Sequence, residues 1–204
     1  DDTVASGGSY LDLPSGTYLA NKVIIPTSFT LKGNGRNTIL KQQFFANDAT
    51  DGGGNSLVLD GNFVGIGTTN ARDVTVQDIT IDGNAGNNIT FQGELGNYLA
   101  YFGGVSSSLF KSMEVRNSPA HGLYIYDSSR VSVENASFVD GSLTDRYPYE
   151  PIQAQESEVL RVNDSLFENY PGPVDLSVTS VVSTGGNIIR NCGTGLRTYA
   201  TGKI

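Results

Sequence analysis

An apolar residue followed by a polar turn recurs along this chain at a nearly regular interval, and no other feature constrains the fold as strongly. The segments "ITIDGN", "SLFENY" and "NIIRNC" share this pattern without sharing their residues. The recurring apolar positions are Leu31, Leu59, Ile81, Val115, Phe138, Phe167 and Ile189. Their shortest spacing is 22 residues, and we interpret the longer steps as the same unit carrying an insertion. Units that bury their apolar edges only against their neighbours are typical of a solenoid.

The repeating segments are predicted to be strands. Apolar and polar residues alternate with period two, Val, Ile, Thr, Tyr and Phe are frequent, and Gly, Asn, Asp or Pro interrupts every few residues. A leucine-rich repeat is excluded because its helical half and its leucine spacing are missing. We therefore predict an all-β, right-handed parallel β-helix with about 22 residues and three short strands per rung. We expect a single domain over residues 1–204, interpreted as a fragment of a longer chain.

The second position after each of these apolar residues is predicted to lie in a tight turn. It is occupied by Gly33, Gly61, Gly83, Asn117, Asp140, Asn169 and Asn191. Gly, Asn and Asp tolerate the left-handed backbone conformation, so we interpret this column as geometrical, with stacked amides adding hydrogen bonds along the axis.

Charge and composition exclude several partners. The 13 basic residues are scattered singly against 21 acidic ones, a net charge of −8, so we expect neither nucleic acid nor an anionic membrane surface as a partner. No apolar stretch approaches the roughly 20 residues of a membrane-spanning helix. The single Cys192 and the single His121 exclude an internal disulfide and a cysteine-rich or histidine-rich metal cluster.

Strand alternation predicts a polar face that climbs the last rungs. It places inward the residues Leu123, Ile125, Ile152, Ala154, Val174, Leu176, Leu196 and Thr198. It places outward one column of Tyr124, Gln153, Asp175 and Arg197, and a second of Tyr126, Gln155, Ser177 and Tyr199. Aromatic rings, amides and charged groups are suited to glycan recognition, so we predict a sugar groove here. The alternative is an ordinary outer face with an Asp175–Arg197 ion pair worth about 0.2–1 kcal/mol.

An insertion lies beside this face. The segment "GSLTDRYPYEP" lengthens one rung and ends where the polar strand begins, so Tyr147, Tyr149 and Glu150 are expected to hang over one edge of the groove. A second insertion, "ELGNYLAYFGG", is interpreted as a flap, a register-shifted strand or an apolar cover. His121 is expected either in a solvated turn or as a proton carrier.

Three reactions are compatible with such a groove. Hydrolysis needs two carboxylates, and Asp175 with Glu150, Glu156 or Asp127 is the available pair. Lyase or epimerase chemistry needs a cation and a base, which Arg197 with Tyr124, Tyr126 or His121 could supply, with Ca²⁺ as an additional cofactor. The candidate catalytic residues are therefore Asp175, Arg197 and Glu150. The rival interpretation is a non-enzymatic β-helix segment of a phage fibre or adhesin.

A family resemblance accompanies these patterns. "GGSYLDLPSGTYLANKVIIPTSFTLKGNG" resembles the opening of pectate-lyase-like β-helix proteins, and "DVTVQDITIDGN" is similar to a rung of the mannuronan C5-epimerases among them. The resemblance implies a polysaccharide lyase, an epimerase, a glycoside hydrolase or a phage tailspike that engages an extracellular polysaccharide. Laid on "HGLYIYD", the epimerase catalytic positions fall on His121, Tyr124 and Tyr126, which do not reproduce the epimerase residue types. The family resemblance also implies an extracellular, cell-surface or virion location, and a homotrimer if the chain belongs to a viral fibre.

Overall fold

A coil of parallel strands accounts for the repeating sequence pattern. The computed structural model describes residues 9–20, 22–42, 65–85, 98–118, 121–141, 149–193 and 195–200. Within these ranges the only helical element is a 3₁₀ turn at Gly35–Asn37, and the strands number nineteen. The strands are β1 (Tyr10–Asp12), β2 (Gly16–Ala20), β3 (Lys22–Ile24), β4 (Thr30–Lys32), β5 (Thr38–Gln42), β6 (Gly65–Thr69), β7 (Thr75–Gln77), β8 (Thr80–Asp82), β9 (Tyr98–Gly103), β10 (Ser106–Lys111), β11 (Glu114–Arg116), β12 (His121–Tyr126), β13 (Ser129–Glu134), β14 (Ser137–Val139), β15 (Ile152–Asn163), β16 (Leu166–Glu168), β17 (Val174–Gly185), β18 (Ile188–Arg190) and β19 (Leu196–Ala200).

The strands stack into three parallel sheets, one strand of each sheet per rung. Sheet 1 contains β3, β6, β9, β12, the first halves of β15 and β17, and β19. Sheet 2 contains β1, β4, β7, β10, β13 and the second halves of β15 and β17. Sheet 3 runs in the order β18, β16, β14, β11, β8, β5, β2. Strands β15 and β17 turn the corner between sheets 1 and 2 without interruption, with register shifts around Ser157. The prediction of three strands per rung is confirmed.

The core lies inside the coil and is built from one or two apolar side chains of most strands. In sheet 3 the stack is Leu40, Ile81, Val115, Phe138, Phe167 and Ile189. The rings of Phe138 and Phe167 are stacked at 5.2 Å. In sheet 1 the inward residues Leu123, Ile125, Ile152, Ala154, Val174 and Leu176 are fully buried, as predicted. Only size and apolarity are required at such positions, which explains why the residues vary from rung to rung.

Residues in the left-handed backbone conformation turn the chain at the corners of the coil. The sequence predicted this conformation, and four of the predicted positions have it. Asn117, Asp140, Asn169 and Asn191 have φ values of 48°, 57°, 58° and 51°. The side chain of Asn191 donates to Asn169 Oδ1 at 3.2 Å, and Asn169 donates to Asp140 Oδ1 at 2.8 Å. The predicted ladder of side-chain hydrogen bonds along the axis is therefore present.

Some positions differ from the sequence-based expectation. Leu31 does not belong to the sheet 3 stack: it pairs with Val76 in sheet 2, and Leu40 takes its place after the 3₁₀ turn at Gly35–Asn37. Asn84, and not Gly83, is left-handed at its corner, with φ 53°. Leu196 is 43% exposed although it was predicted to point inward, since β19 pairs with β17 on one side and with no other described strand. The same open edge leaves Thr198 exposed, and Leu59 and Gly61 lie outside the described residues.

Candidate functional site

The outer face of sheet 1 brings the two predicted polar columns into register. Tyr124 pairs with Gln153, Gln153 with Asp175, and Asp175 with Arg197, so that each rung contributes one residue. The second column lies two residues further along each strand and pairs in the same way: Tyr126 with Gln155, Gln155 with Ser177, and Ser177 with Tyr199. Both registers agree with the prediction. Tyr147 and the side chain of Tyr199 lie outside the described residues.

One guanidinium joins two carboxyl groups at this face. Arg197 Nη2 lies 2.5 Å from Asp175 Oδ2 and 3.9 Å from Glu150 Oε1. Ser177 Oγ donates a hydrogen bond of 2.8 Å to the other oxygen of Asp175. The carboxyl side chains are almost fully buried, while the Arg197 side chain is 44% exposed. The structure thus brings together the three candidate catalytic residues Asp175, Arg197 and Glu150.

His121 extends this cluster through Glu150. Its Nδ1 atom lies 2.5 Å from Glu150 Oε2 and accepts the backbone N–H of Glu150 at 3.2 Å. A proton held between these two atoms would join them, either as a carboxyl O–H that donates to Nδ1 or as an imidazolium N–H that donates to the carboxylate. The contact therefore links His121 and Glu150 as one polar pair.

A glycine allows Glu150 to approach His121. The N–H of Gly122 donates to Glu150 O at 3.0 Å, and the N–H of Leu123 donates to Pro151 O at 3.0 Å. A Cβ atom at residue 122 would lie 2.5 Å from the carbonyl oxygen of Pro151, so only glycine fits this close backbone approach. The end of the insertion therefore packs onto the start of β12. Tyr149 and Glu150 are buried there and do not hang over the edge of a groove, and His121 is buried and does not lie in a solvated turn.

A cluster of four tyrosines continues the outer face toward the earlier rungs. Tyr98 and Tyr124 are stacked with ring centroids 4.1 Å apart, Tyr101 packs at 5.7 Å from Tyr124, and Tyr126 lies at 6.0 Å from it. The Tyr98 ring is also 5.2 Å from the His121 ring, which joins the tyrosine cluster to the charged cluster. The second insertion ends in β9, which is in register with β12, and is thus a regular strand of sheet 1 over Tyr98–Gly103.

Sequence reasoning missed Tyr98 and Tyr101. Tyr101 pairs directly with Tyr124 on the next rung. Extending the predicted column by one repeat toward the N-terminus would have identified Tyr101, because it precedes Tyr124 by about one rung length. Tyr98 carried no such signal, because it lies an odd number of residues before Tyr101 and strict alternation would turn it to the other side of the sheet, whereas it stacks on Tyr124.

The tyrosines of this cluster are neutral hydrogen-bond donors. Burial raises the pKa of Tyr98 and of Tyr124 far above the usual value, and the neighbouring phenols add to this effect for Tyr98. Tyr124 Oη donates to Gln155 Oε1 at 2.8 Å. Tyr126 Oη donates to Glu156 Oε2 at 3.0 Å, and this hydrogen bond raises the pKa of Tyr126. A tyrosinate base at these positions is therefore disfavoured.

The face is more closed than alternation alone suggested. Tyr124 and Asp175 are each 3% exposed, although both point away from the core. Tyr98 covers Tyr124, and the side chains of Arg197 and Ser177 cover Asp175. The residues that reach solvent are the half-buried Tyr126, Gln153, Gln155 and Ser177, together with Arg197.

Neither a metal site nor a membrane helix is found in the described ranges. No group of three His, Cys, Asp or Glu side chains in this part of the chain is placed to hold a metal ion, so the Ca²⁺ cofactor stays a prediction. Among the same residues, no helix has the length and apolarity needed to cross a membrane.

The stacked parallel strands define a β-helix protein, and a comparison with family models identifies its family. A family model described as a right handed beta helix region matches residues 64–204. The chain therefore belongs to the right-handed β-helix family, as the sequence predicted. A search of curated proteins finds none that matches.

Solved structures share this fold at low sequence identity. A provisionally assigned glycosyl hydrolase from Parabacteroides merdae ATCC 43184 is 13% identical, with a TM-score of 0.66 over 93% of this chain and 84% of that protein. The ORF18 protein of Geobacillus virus E2 is 18% identical, with a TM-score of 0.57 over 93% of this chain and 33% of that protein. A pectin methylesterase in complex with a hexasaccharide is 13% identical, with a TM-score of 0.50 over 90% of this chain and 60% of that protein. Identities this low establish a common fold and nothing further.

Proposed function

We propose that this protein processes an extracellular polysaccharide and that it hydrolyses glycosidic bonds on the outer face of sheet 1. The observation that carries the proposal is the pair of carboxyl groups, Glu150 and Asp175, that both contact Arg197. Their other partners differ, since Glu150 contacts His121 and Asp175 accepts a hydrogen bond from Ser177. Similarity in fold to a protein assigned as a glycosyl hydrolase and to a pectin methylesterase supports a carbohydrate substrate by analogy.

The two carboxyl groups are suited to different roles. Glu150 lies against His121 Nδ1, and with a proton held between the two side chains it can act as the general acid that protonates the leaving oxygen. Asp175 receives hydrogen bonds from Arg197 and Ser177, which hold it in one orientation as the nucleophile or general base. His121 is a positioning residue in this scheme, because it holds the proton and the rotamer of Glu150 without contacting the sugar.

The separation of the two groups indicates the stereochemical course. Asp175 Oδ2 and Glu150 Oε1 both contact Arg197 Nη2, at 2.5 Å and 3.9 Å, so these two oxygens cannot be farther apart than those distances combined. Retaining glycosidases have carboxyl groups about 5–5.5 Å apart, whereas inverting enzymes need about 6.5–9.5 Å to admit a water molecule. Because the upper limit set by the two contacts with Arg197 lies just below the inverting range, we propose a retaining mechanism as the course to test.

Elimination and epimerisation are less well supported. Both reactions require a base that abstracts the proton beside a uronate carboxylate. The raised pKa values of Tyr124 and Tyr126 oppose that role, and the imidazole nitrogen nearest the face is already engaged with Glu150. Arg197, the candidate for stabilising the carbanion, is bonded to Asp175.

The experiment is a product assay with a panel of neutral and acidic polysaccharides. New reducing ends without ultraviolet absorbance from unsaturated uronates indicate hydrolysis, whereas that absorbance indicates elimination. Glu150→Gln and Asp175→Asn should each abolish product. Glu168→Gln is the matched control, since Glu168 also pairs with an arginine on the next rung but lies on the outer side of sheet 3. Reducing ends that persist in both site variants would contradict the proposed roles.

One observation favours a second candidate function. The near-complete burial of Tyr124, Asp175 and Glu150 leaves mainly Tyr126, the two glutamines, Ser177 and Arg197 to meet a ligand. A face of that kind suits a non-enzymatic β-helix that binds surface glycan, such as a phage fibre, a tailspike or an adhesin, and a homotrimer would then be expected. Polysaccharide binding without any product would favour this alternative. Both candidates place the protein outside the cell, at the cell surface or on a virion.

A further inference from the structure

The charges on the outer face of sheet 1 bear on the class of polysaccharide. Between β9 and β19 the sheet 1 segments contain two basic side chains, His121 and Arg197. His121 contacts Glu150, and Arg197 contacts Asp175 and Glu150. Both basic side chains of the described sheet 1 segments are thus already in contact with a carboxyl group of the protein.

Two carboxylates stand at the rim of the same face, and Arg130 of the same corner donates its Nε–H to Ser107 Oγ at 3.2 Å. Glu156 accepts the hydroxyl hydrogen bond of Tyr126, and Asp127 follows Tyr126 at the corner between sheets 1 and 2. Both residues have positive φ values, 51° and 44°, and are partners in the stacked corner turns, where the N–H of Asp127 donates to Gln155 O at 3.1 Å. Neither residue has a cationic partner among the described ion pairs.

A polymer of uronic acids would meet this face unfavourably. Each of its carboxylates needs an arginine, a lysine or a bound divalent cation as a partner. Here Arg197 and His121 are already paired, and two carboxylates stand at the rim. The described residues contain no group of three or more His, Cys, Asp or Glu side chains placed to hold a metal ion. Like charges at the rim repel an anionic chain more strongly at low salt.

The remaining groups are those that recognise neutral sugars. Gln153, Gln155 and Ser177 offer amide and hydroxyl groups on two successive rungs, and the half-buried Tyr126 ring lies beside them. Tyr124 holds the amide of Gln155 in one orientation through a 2.8 Å hydrogen bond. Oriented amides and hydroxyls bind sugar hydroxyls, and a tyrosine ring packs on the apolar side of a sugar ring.

We infer that the polysaccharide engaged by this face is a neutral glycan and not a uronate polymer, with Gln153, Gln155 and Tyr126 as its contacts. This inference rests on the proposed function, since it specifies the ligand of the same face. It differs from the expectation that the resemblance to pectate-lyase-like proteins raises, because that family includes enzymes of acidic polymers.

Affinity electrophoresis of the full chain tests the inference. The gels contain either a neutral polymer (galactan, xylan, a β-glucan or a mannan) or a uronate polymer (polygalacturonate or alginate), with and without Ca²⁺ and at two salt concentrations. We expect retardation by at least one neutral polymer, unchanged by salt or Ca²⁺. Gln153→Ala combined with Gln155→Ala should weaken that retardation about tenfold or more, whereas Ser132→Ala on sheet 2 should leave it unchanged.

A pair of charge variants tests the electrostatic reason. Glu156→Gln combined with Asp127→Asn should strengthen residual retardation by uronate polymers about twofold per charge at low salt, and Glu134→Gln at the far end of sheet 2 should not. Retardation by uronate polymers alone, with or without Ca²⁺, would overturn the inference and leave the proposed function standing. No retardation by any polymer would overturn both.

Discussion

Removal of the Arg197 guanidinium should destabilise the protein more than removal of a comparable surface arginine. In the variant Arg197→Ala, Asp175 keeps the hydrogen bond from Ser177 but loses its only described cationic partner, and Glu150 loses its longer contact with the same guanidinium. The carboxyl side chains of Asp175 and Glu150 are only 5% and 8% exposed, so water cannot replace the guanidinium without rearrangement. An uncompensated buried charge is the expected consequence.

The magnitude follows from the burial of the pair. Exposed ion pairs contribute about 0.2–1 kcal/mol, and removing one partner of a fully buried pair costs about 3–5 kcal/mol. The Asp175–Arg197 pair is intermediate, because one partner is buried and the other is 44% exposed. We expect a loss of about 1–3 kcal/mol in the free energy of unfolding. Arg190→Ala is the matched control: it removes an arginine from the Glu168 pair, also 22 residues apart, but both partners are more exposed. It should cost at most about 1 kcal/mol.

The assay is urea unfolding followed by circular dichroism, with midpoints and slopes compared at equal protein concentration. The double variant Arg197→Ala with Asp175→Asn should be more stable than Arg197→Ala alone, since it removes the charge that the first substitution leaves without a partner. Equal losses for Arg197→Ala and Arg190→Ala, or no recovery in the double variant, would refute the reasoning.

Three further outcomes are expected. Phe138→Ala should reduce the free energy of unfolding by about 3–5 kcal/mol in urea titrations, since it empties a fully buried site stacked on Phe167; a loss below about 1 kcal/mol would contradict the assigned core. Burial alone would raise the pKa of Asp82, but hydrogen bonds from the Asn84 amide and from Asn117 and Arg116 lower it below the usual 3.8. Wild type should therefore exceed Asp82→Asn in stability above pH 3.8, and the difference should vanish as the pH falls through the lowered value; a difference that persists at about pH 2 would contradict this assignment. If the protein hydrolyses a glycan, proton NMR of the first product should show retention of the anomeric configuration, and inversion would exclude the proposed nucleophile.

Much of the fold was predictable from the sequence because each rung repeats the same local requirements. Alternation determined which side of sheet 1 each residue faces, and the pairing of Tyr124 with Gln153, Asp175 and Arg197 followed from repeat lengths alone. The left-handed corners were predictable for a similar reason, since Asn117 and Asn169 are residue types that tolerate positive φ. Where the repeat was irregular, as at Leu31, the sequence pattern assigned the strand to the wrong sheet.

The sequence by itself therefore determined the coil, the number of strands per rung and the columns of its outer face, because these depend on neighbours in a regular repeat. Only the tertiary structure decided what those columns contact. The approach of Glu150 to His121 depends on the packing of an insertion against Gly122, and the burial of Tyr124 depends on Tyr98, which stacks on it from the preceding strand of sheet 1. Such contacts join segments of irregular length, and their geometry is set by side-chain packing and hydrogen bonding across rungs, which no periodicity in the chain records.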